Sequence, residues 1–270
     1  VNAATPHRLW LIGCGNMGGA MLHRWIDSGV VAADAVDVVN RHDRALPDGV
    51  RQARTLPDGP PPDIVMLAMK PQQIDEIAAA HGDRIAGVPV LVSILAGIEE
   101  ATLAERFAGP AIVRAMPSLP VALGKGVVAL HAQAAPRSVR DSVGALMAPL
   151  GLVEWIDDEA LYGAVGTLEG CGPAFLFRFI DALAAAGMAL GMPADQAARL
   201  ALATVEGAGV MAAQSDDSPT TLADRVASPG GSTRQGLNVL DRDDALVKLL
   251  TETLKAAEAR GREMAAEAKR

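Results

Sequence analysis

Residues 9–22 read L-W-L-I-G-C-G-N-M-G-G-A-M-L: a short apolar run, three spaced glycines, then an apolar helix. In a strand–turn–helix unit each glycine has a mechanical task. Gly13 permits the sharp turn, Gly15 lets the backbone approach a pyrophosphate with no Cβ in the way, and Gly18 lets the helix pack close to its strand. The helix start then offers unpaired N–H groups and a positive dipole end to an anion. A glycine-rich turn alone is a weak signal. Set between a strand and a helix, it predicts a bound dinucleotide.

Apolar runs of strand length recur at 35–40, 63–69, 89–95, 111–116 and 126–131, with helix candidates at 72–80, 99–107 and 136–148. Such near-continuous runs are expected where both faces of a parallel sheet are covered. Residues 47–62 are proline-rich and read as a surface connection with a short strand near Val50. The expected fold is α/β. A doubly wound Rossmann dinucleotide-binding domain spans 1–155, and an all-α dimerisation and substrate domain follows over 156–270. Helices are expected there at 173–190, 193–214, 219–227, 233–240 and 243–268. The first is apolar round most of its circumference, so it needs cover on all sides. A partner subunit supplies that cover and predicts a dimer; the central helix of a monomeric bundle is the plainer alternative.

Composition narrows the function classes. Aromatic residues make up only 3%, so Ala, Leu, Val and Met must fill the interior. A net charge of −8 without a basic tract argues against a nucleic-acid surface, which needs clustered Lys and Arg. Cys14 and Cys171 both read as lying in glycine-rich turns, with no disulfide framework and no metal-ligand spacing. The five histidines show no H-x-x-x-H pairing and are expected at the surface or half-buried, so no metal is expected. No apolar stretch reads as approaching the roughly 18–20 residues of a membrane helix. Residues 1–7 read as a loose leader rather than a secretory signal. These features suit a cytoplasmic enzyme without membrane or nucleic-acid partners.

An acidic residue ending the second strand would select NAD through the ribose hydroxyls. This strand ends in Asn40-Arg41-His42-Asp43-Arg44, with Asp37 mid-strand. Arg41, joined by Arg44, suits a 2′-phosphate, so NADP(H) is expected, with NAD(H) as the second option. The same two residues would also suit an ordinary solvated loop. As for the hydride acceptor, reduction of a ketone usually calls on a Lys or His acid. Between Lys125 and Lys248 there is no lysine, and His131 is the only histidine after His81. An imine makes a smaller demand, because it is protonated near neutral pH. Further on, Ser228-Pro229-Gly230-Gly231-Ser232-Thr233 leads into a helix and leaves several N–H groups free to hold a small anion. Its plainer reading is a helix N-cap after a loop.

Taken together, the motifs resemble the pyrroline-5-carboxylate reductase family. I-G-C-G-N-M-G at 12–18, A-M-K-P-Q at 68–72, R-A-M-P at 114–117 and S-P-G-G-S-T at 228–233 carry the likeness, with weaker echoes at 92–98 and 170–175. The resemblance implies NADPH-dependent reduction of 1-pyrroline-5-carboxylate to L-proline. It implies that Ile12, Gly13, Cys14, Gly15, Asn16, Met17 and Gly18 bind the pyrophosphate, with Asn40 and Arg41 at the 2′-phosphate. Ala68, Met69, Lys70 and Pro71 would line the nicotinamide side, as would Ile94, Leu95 and Ala96. Ser228, Gly230, Gly231, Ser232 and Thr233 would hold the substrate carboxylate, with Thr233 also near the ring nitrogen as the catalytic hydroxyl. It further implies dimers whose helical domains interlock.

This chain departs from the family at two places. M-P-N-T-P becomes Met116-Pro117-Ser118-Leu119-Pro120, and S-G-S-G-P-A-Y becomes Glu169-Gly170-Cys171-Gly172-Pro173-Ala174-Phe175. A carboxylate at 169 would repel a carboxylate substrate unless it is paired or turned away. Two alternatives therefore stand beside the main reading: a reductase of another cyclic imine or hydroxy acid, and a non-catalytic dinucleotide-binding relative.

Overall fold

The computed structural model describes residues 8–268; the leader read at 1–7 lies outside them. The chain forms two compact units, one up to Gly170 together with the segment from Glu258, the other Cys171–Ala257.

The first unit is built on an eight-stranded sheet. Its elements run β1 (Leu9–Ile12), α1 (Asn16–Ser28), β2 (Val36–Val39), β3 (Arg51–Ala53), β4 (Ile64–Leu67), α2 (Ile74–Ile85), β5 (Val90–Ser93), α3 (Glu100–Arg106), β6 (Ala111–Pro117), β7 (Gly126–His131), α4 (Arg137–Met147) and β8 (Gly151–Trp155). The strand order is β3-β2-β1-β4-β5-β6-β7-β8. All neighbours are parallel except β6 and β7, where Pro117 pairs Val128 and Arg114 pairs His131.

Alternate residues of the strands feed two cores. Leu9, Leu11, Val38, Met66 and Val92 pack with Met21, Leu22 and Trp25 of α1 and Val143 and Leu146 of α4. On the other face, Trp10, Ile12, Val65, Leu67 and Leu91 pack with Ile74 and Ile85 of α2 and with Leu103 and Phe107 at α3. This is the period of two expected of strands, with helices on both faces. The chain reverses its direction of travel between β1 and β4, the switch point where doubly wound sheets bind ligands beyond the strands' carboxyl ends. The short strand expected near Val50 forms one residue later, at Arg51–Ala53.

The helices that follow are α5 (Glu159–Ala189), α6 (Ala194–Ala213), α7 (Pro219–Val226), α8 (Ser232–Asp241) and α9 (Ala245–Ala268). Two expectations are corrected here. Cys171 lies inside α5, not in a turn, because the helix begins at Glu159 and runs through Gly170, Gly172 and Pro173. Proline lacks the N–H that would bond the Glu169 carbonyl, so the segment reads locally as a break. The helix nevertheless continues, its first turns set against β6 through Tyr162 and Gly166. Consequently α5 is a single 31-residue apolar helix, the one among the described residues long and apolar enough to cross a membrane by length and composition. The expected break at 170–173 had hidden this length, although Glu169, Arg178 and Asp181 interrupt it with charge.

His131 is also corrected: it is 2% exposed, in the last position of β7. Its Nδ1 contacts the Ile156 carbonyl at 2.7 Å, and Glu100 and Glu159 stand 3.7 and 4.0 Å from its Nε2.

Candidate active site

At the carboxyl edge of β1, Gly13 and Gly18 do what the motif requires. Gly13 has φ +88°, and a Cβ there would stand 2.5 Å from the Met69 amide nitrogen. Its own N–H donates to the Val39 carbonyl at 2.8 Å, which ties the turn to β2. A Cβ at Gly18 would come within 2.9 Å of the Gly13 carbonyl oxygen, so α1 lies hard against the turn. Gly15 differs: it caps α1 with no side-chain hydrogen bond, and a Cβ there would meet nothing within 4 Å. The amides of Asn16, Met17 and Gly18 have no acceptor within the helix. Uncapped N–H groups beside open space fit a dinucleotide pyrophosphate.

Cys14 is buried, its N–H donates to Asn40 Oδ1 at 2.7 Å, and burial pushes its thiol pKa up despite the Arg44 charge nearby. Asn40 Nδ2 in turn donates to Gln52 Oε1 at 3.1 Å, and that oxygen also accepts the Arg44 N–H at 3.1 Å. Asn40 is thus a brace for the turn. Arg41 is exposed and ion-paired with Glu76 of α2. Arg54, which the sequence reading missed, follows β3; it donates to the Asn40 carbonyl at 3.2 Å and pairs with Asp43 at 3.0 Å. Asp37 is engaged elsewhere, by Arg51 at 2.6 Å.

The exits of β4 and β5 lie on the same edge. The Ala68 N–H donates to the Ile12 carbonyl at 2.8 Å, and the Ile94 N–H to the Leu67 carbonyl at 3.0 Å. Ala68, Met69 and Pro71 are half-buried and Lys70 is exposed. Leu95 turns into the core, which leaves half-buried Ile94 and exposed Ala96 on the rim. The structure therefore gathers residues 12–18, 40–41, 68–71 and 94–96 on one edge of the sheet.

The later turn belongs to the second unit. Gly231 N–H donates to the Ser228 carbonyl at 3.0 Å, and Gly230 takes φ +73° to close the turn. Gly231 then caps α8 without a side-chain hydrogen bond, so the Ser232 and Thr233 amides open the helix without an acceptor. Ser228, Ser232 and Thr233 are exposed, and Arg234 is anchored to Asp224 at 2.6 Å. This amide turn suits a small carboxylate.

A glycine-lined pyrophosphate cradle on a doubly wound sheet, with a separate anion turn in a helical unit, defines a dinucleotide-dependent oxidoreductase. Residues 159–264 match the family model for pyrroline-5-carboxylate reductase dimerisation, and residues 8–97 match that described as NADP oxidoreductase, coenzyme F420-dependent. A pyrroline-5-carboxylate reductase of Pseudomonas aeruginosa is 32% identical over 97% of this chain and 98% of its own length. That of Arabidopsis thaliana is 31% identical, covering 97% and 96%. A solved pyrroline-5-carboxylate reductase from Coxiella burnetii is 28% identical with a TM-score of 0.87, covering 95% of this chain and 98% of that one. The chain belongs to the pyrroline-5-carboxylate reductase family.

Proposed function

We propose that this protein reduces 1-pyrroline-5-carboxylate to L-proline with NADPH. The observation that carries the reading is the Ser228–Thr233 turn, an uncapped amide cradle for a small carboxylate on a chain that already holds a pyrophosphate cradle. Relatives named for this reaction along nearly the whole chain add weight to it.

When bound, NADPH supplies the hydride for the C=N carbon. The amides of Asn16, Met17 and Gly18 hold the pyrophosphate against the turn of Ile12, Gly13, Cys14 and Gly15. Arg41, beside Asn40, would take the 2′-phosphate in place of its present partner Glu76. Ala68, Met69, Lys70 and Pro71 would line the nicotinamide with Ile94 and Ala96, while Leu95 backs them from the core. Ser228, Gly230, Gly231 and Ser232 hold the substrate carboxylate, and the Thr233 hydroxyl hydrogen-bonds at the ring nitrogen.

A homodimer goes with this reading. Leu176, Phe177, Phe179, Met188 and Leu190 of α5 and its end are exposed, an apolar face that a second copy covers. Light scattering on the purified protein checks it; a monomer at assay concentrations rejects it. A cytoplasmic location fits Cys14 and Cys171, both free thiols.

A second reading, a reductase of a different cyclic imine, draws on one observation: Glu169 is buried where the family carries a serine. Following NADPH oxidation with pyrroline-5-carboxylate, other cyclic imines and 2-keto acids decides between them. Turnover of pyrroline-5-carboxylate far above the rest upholds the main reading; preference for another imine replaces it.

A further inference from the structure

Strand β3 is three residues long, yet it holds the loop that leads away from β2. Gln52 pairs with Val38 in the parallel ladder, and the Asn40 N–H donates to the Ala53 carbonyl at 3.0 Å, which carries the pairing past the end of β2. Side chains alternate along a strand, so Gln52 and, just beyond it, Arg54 share the side of the sheet that carries Asn40.

The Gln52 amide is turned onto that loop. Its Oε1 accepts from Asn40 Nδ2 at 3.1 Å and from the Arg44 N–H at 3.1 Å, and its Nε2 donates to the Arg44 carbonyl at 3.4 Å. Among the described residues, the two bonds at Arg44 are the only main-chain hydrogen bonds made by residues 41–46. Residues 41–45 are exposed, so packing does not hold them either. Asn40 is better secured. Its N–H is held by Ala53 and its carbonyl by Arg54 at 3.2 Å, so the brace of the phosphate turn depends on Gln52 far less than Arg44 does.

The three arginines of the rim are not equivalent. Arg41 is paired with Glu76, and Arg54 with Asp43. The Arg44 guanidinium has no hydrogen-bond or ion-pair partner among the described residues. Burial pushes the Cys14 thiol pKa up and the Arg44 charge opposes that rise, which brings this charge to the neighbourhood of the phosphate turn. Arg44 is therefore the rim cation that can meet an anion without first leaving an acid. A long cationic side chain on a loose loop loses affinity to the cost of ordering it, and fixing its main chain removes part of that cost.

We infer that Gln52 is a positioning residue for recognition of the NADP(H) 2′-phosphate, acting through Arg44, which it presents as a second guanidinium beside Arg41. The inference rests on the placement of that phosphate beside Asn40 and Arg41 proposed above. NADH lacks the group, so what Gln52 organises favours NADPH in particular.

The test uses the full-length protein as wild type, Gln52→Leu, Gln52→Glu, Arg44→Ala, Arg41→Ala and the double variant of Gln52→Leu with Arg44→Ala. Cofactor fluorescence reads the binding of NADPH and of NADH, and deuterium exchange of residues 41–46 is followed without cofactor. Leucine keeps the bulk of glutamine and accepts no hydrogen bond. Gln52→Leu should weaken NADPH about tenfold, hold NADH within about threefold, and raise the KM for NADPH rather than lower kcat. It should also release the Arg44 amide to faster exchange, whereas Arg44→Ala should weaken NADPH by a similar factor and leave that amide protected. In the double variant the two losses should not multiply, because one residue acts through the other. Gln52→Glu keeps an acceptor for both N–H groups but brings charge to the rim. It too should weaken NADPH about tenfold or more with NADH little changed, a loss that shrinks as salt rises, and it serves if the leucine variant fails to fold.

Equal losses for NADPH and NADH in Gln52→Leu, unchanged NADPH affinity in it, or losses that multiply in the double variant would each overturn the role. If Arg41→Ala costs both cofactors equally, the phosphate lies elsewhere and the role falls with that placement. A selective loss in Arg41→Ala with none in either Gln52 variant sinks the role alone. Turnover of pyrroline-5-carboxylate by the wild type judges the proposed reaction separately, since the part played by Gln52 is read in binding.

Discussion

The Cys14 amide donates to the Asn40 side-chain oxygen at 2.7 Å, binding the phosphate turn to the loop that follows β2. One residue further on, Arg41 reaches the opposite way, to Glu76 on α2. The two neighbours thus divide the labour: Asn40 braces the turn from beneath, and Arg41 waits at the rim in an ion pair that an incoming phosphate can break.

The glycines of the turn should separate by mutation. Gly13→Ala forces a Cβ onto the Met69 backbone at positive φ and should cost stability outright, by about 2 kcal/mol or more. Gly15→Ala places its methyl in open space and should melt within a degree or two of wild type, yet weaken NADPH about tenfold or more by filling the phosphate's place. Thermal melts paired with NADPH titrations check both; a Gly15→Ala protein that binds normally would remove the pyrophosphate from this turn.

Cofactor choice should depend on the pair at the rim. Arg41→Ala should weaken NADPH by roughly tenfold to a hundredfold while NADH changes little. Glu76→Gln should do the reverse, tightening NADPH a few-fold by freeing Arg41, an effect that fades as salt rises. Comparing kcat/KM for the two cofactors at low and high salt measures this. Equal losses for NADPH and NADH would place the 2′-phosphate elsewhere.

Thr233→Ala should lower kcat on the order of tenfold and leave NADPH affinity intact, because the hydroxyl belongs to the substrate turn rather than to the sheet edge. Thr233→Ser should recover most of the rate. Steady-state kinetics with an NADPH titration reads both quantities.

The raised pKa of Glu169 makes stability depend on pH. The unfolded chain releases this proton near 4.5 and the folded chain near 7, so between those values the folded state holds the extra proton. Stability therefore falls as pH rises through that window, by at most about 3 kcal/mol. Glu169→Gln should flatten the slope and be the more stable protein at pH 8. Urea unfolding from pH 5 to pH 8 at fixed protein concentration checks it; parallel slopes for the two proteins would show the carboxyl to be ordinarily hydrated.

Much of the fold was legible because the same rule repeats. Strands such as Leu9–Ile12 and Ile64–Leu67 are apolar at every position, which only a sheet covered on both faces explains. The glycine turn was legible because Gly13 and Gly18 each answer a separate steric demand. The start of α5 was not. Gly170 to Pro173 looks like a break to any local reading, yet α5 runs through it, with Tyr162 and Gly166 of its first turns set against β6. Arg54 was missed because strand pairing, not sequence, brings it to Asn40. His131 did carry a signal, as the last member of the apolar run G-V-V-A-L-H, but a lone histidine reads as a surface or half-buried residue. Glu169 stood out as a departure, yet its burial beside Ser118, far upstream in the chain, is a matter of tertiary packing.

Strand β1 has a strand on either side and helices over both faces, with Leu9, Trp10 and Leu11 wholly enclosed. Its amides should be among the slowest in the molecule to exchange with deuterium, and the docking point proposed for the nucleotide hangs directly from its end. A cofactor arriving there meets a receptor whose shape is already set, so little of its affinity is spent on ordering the chain.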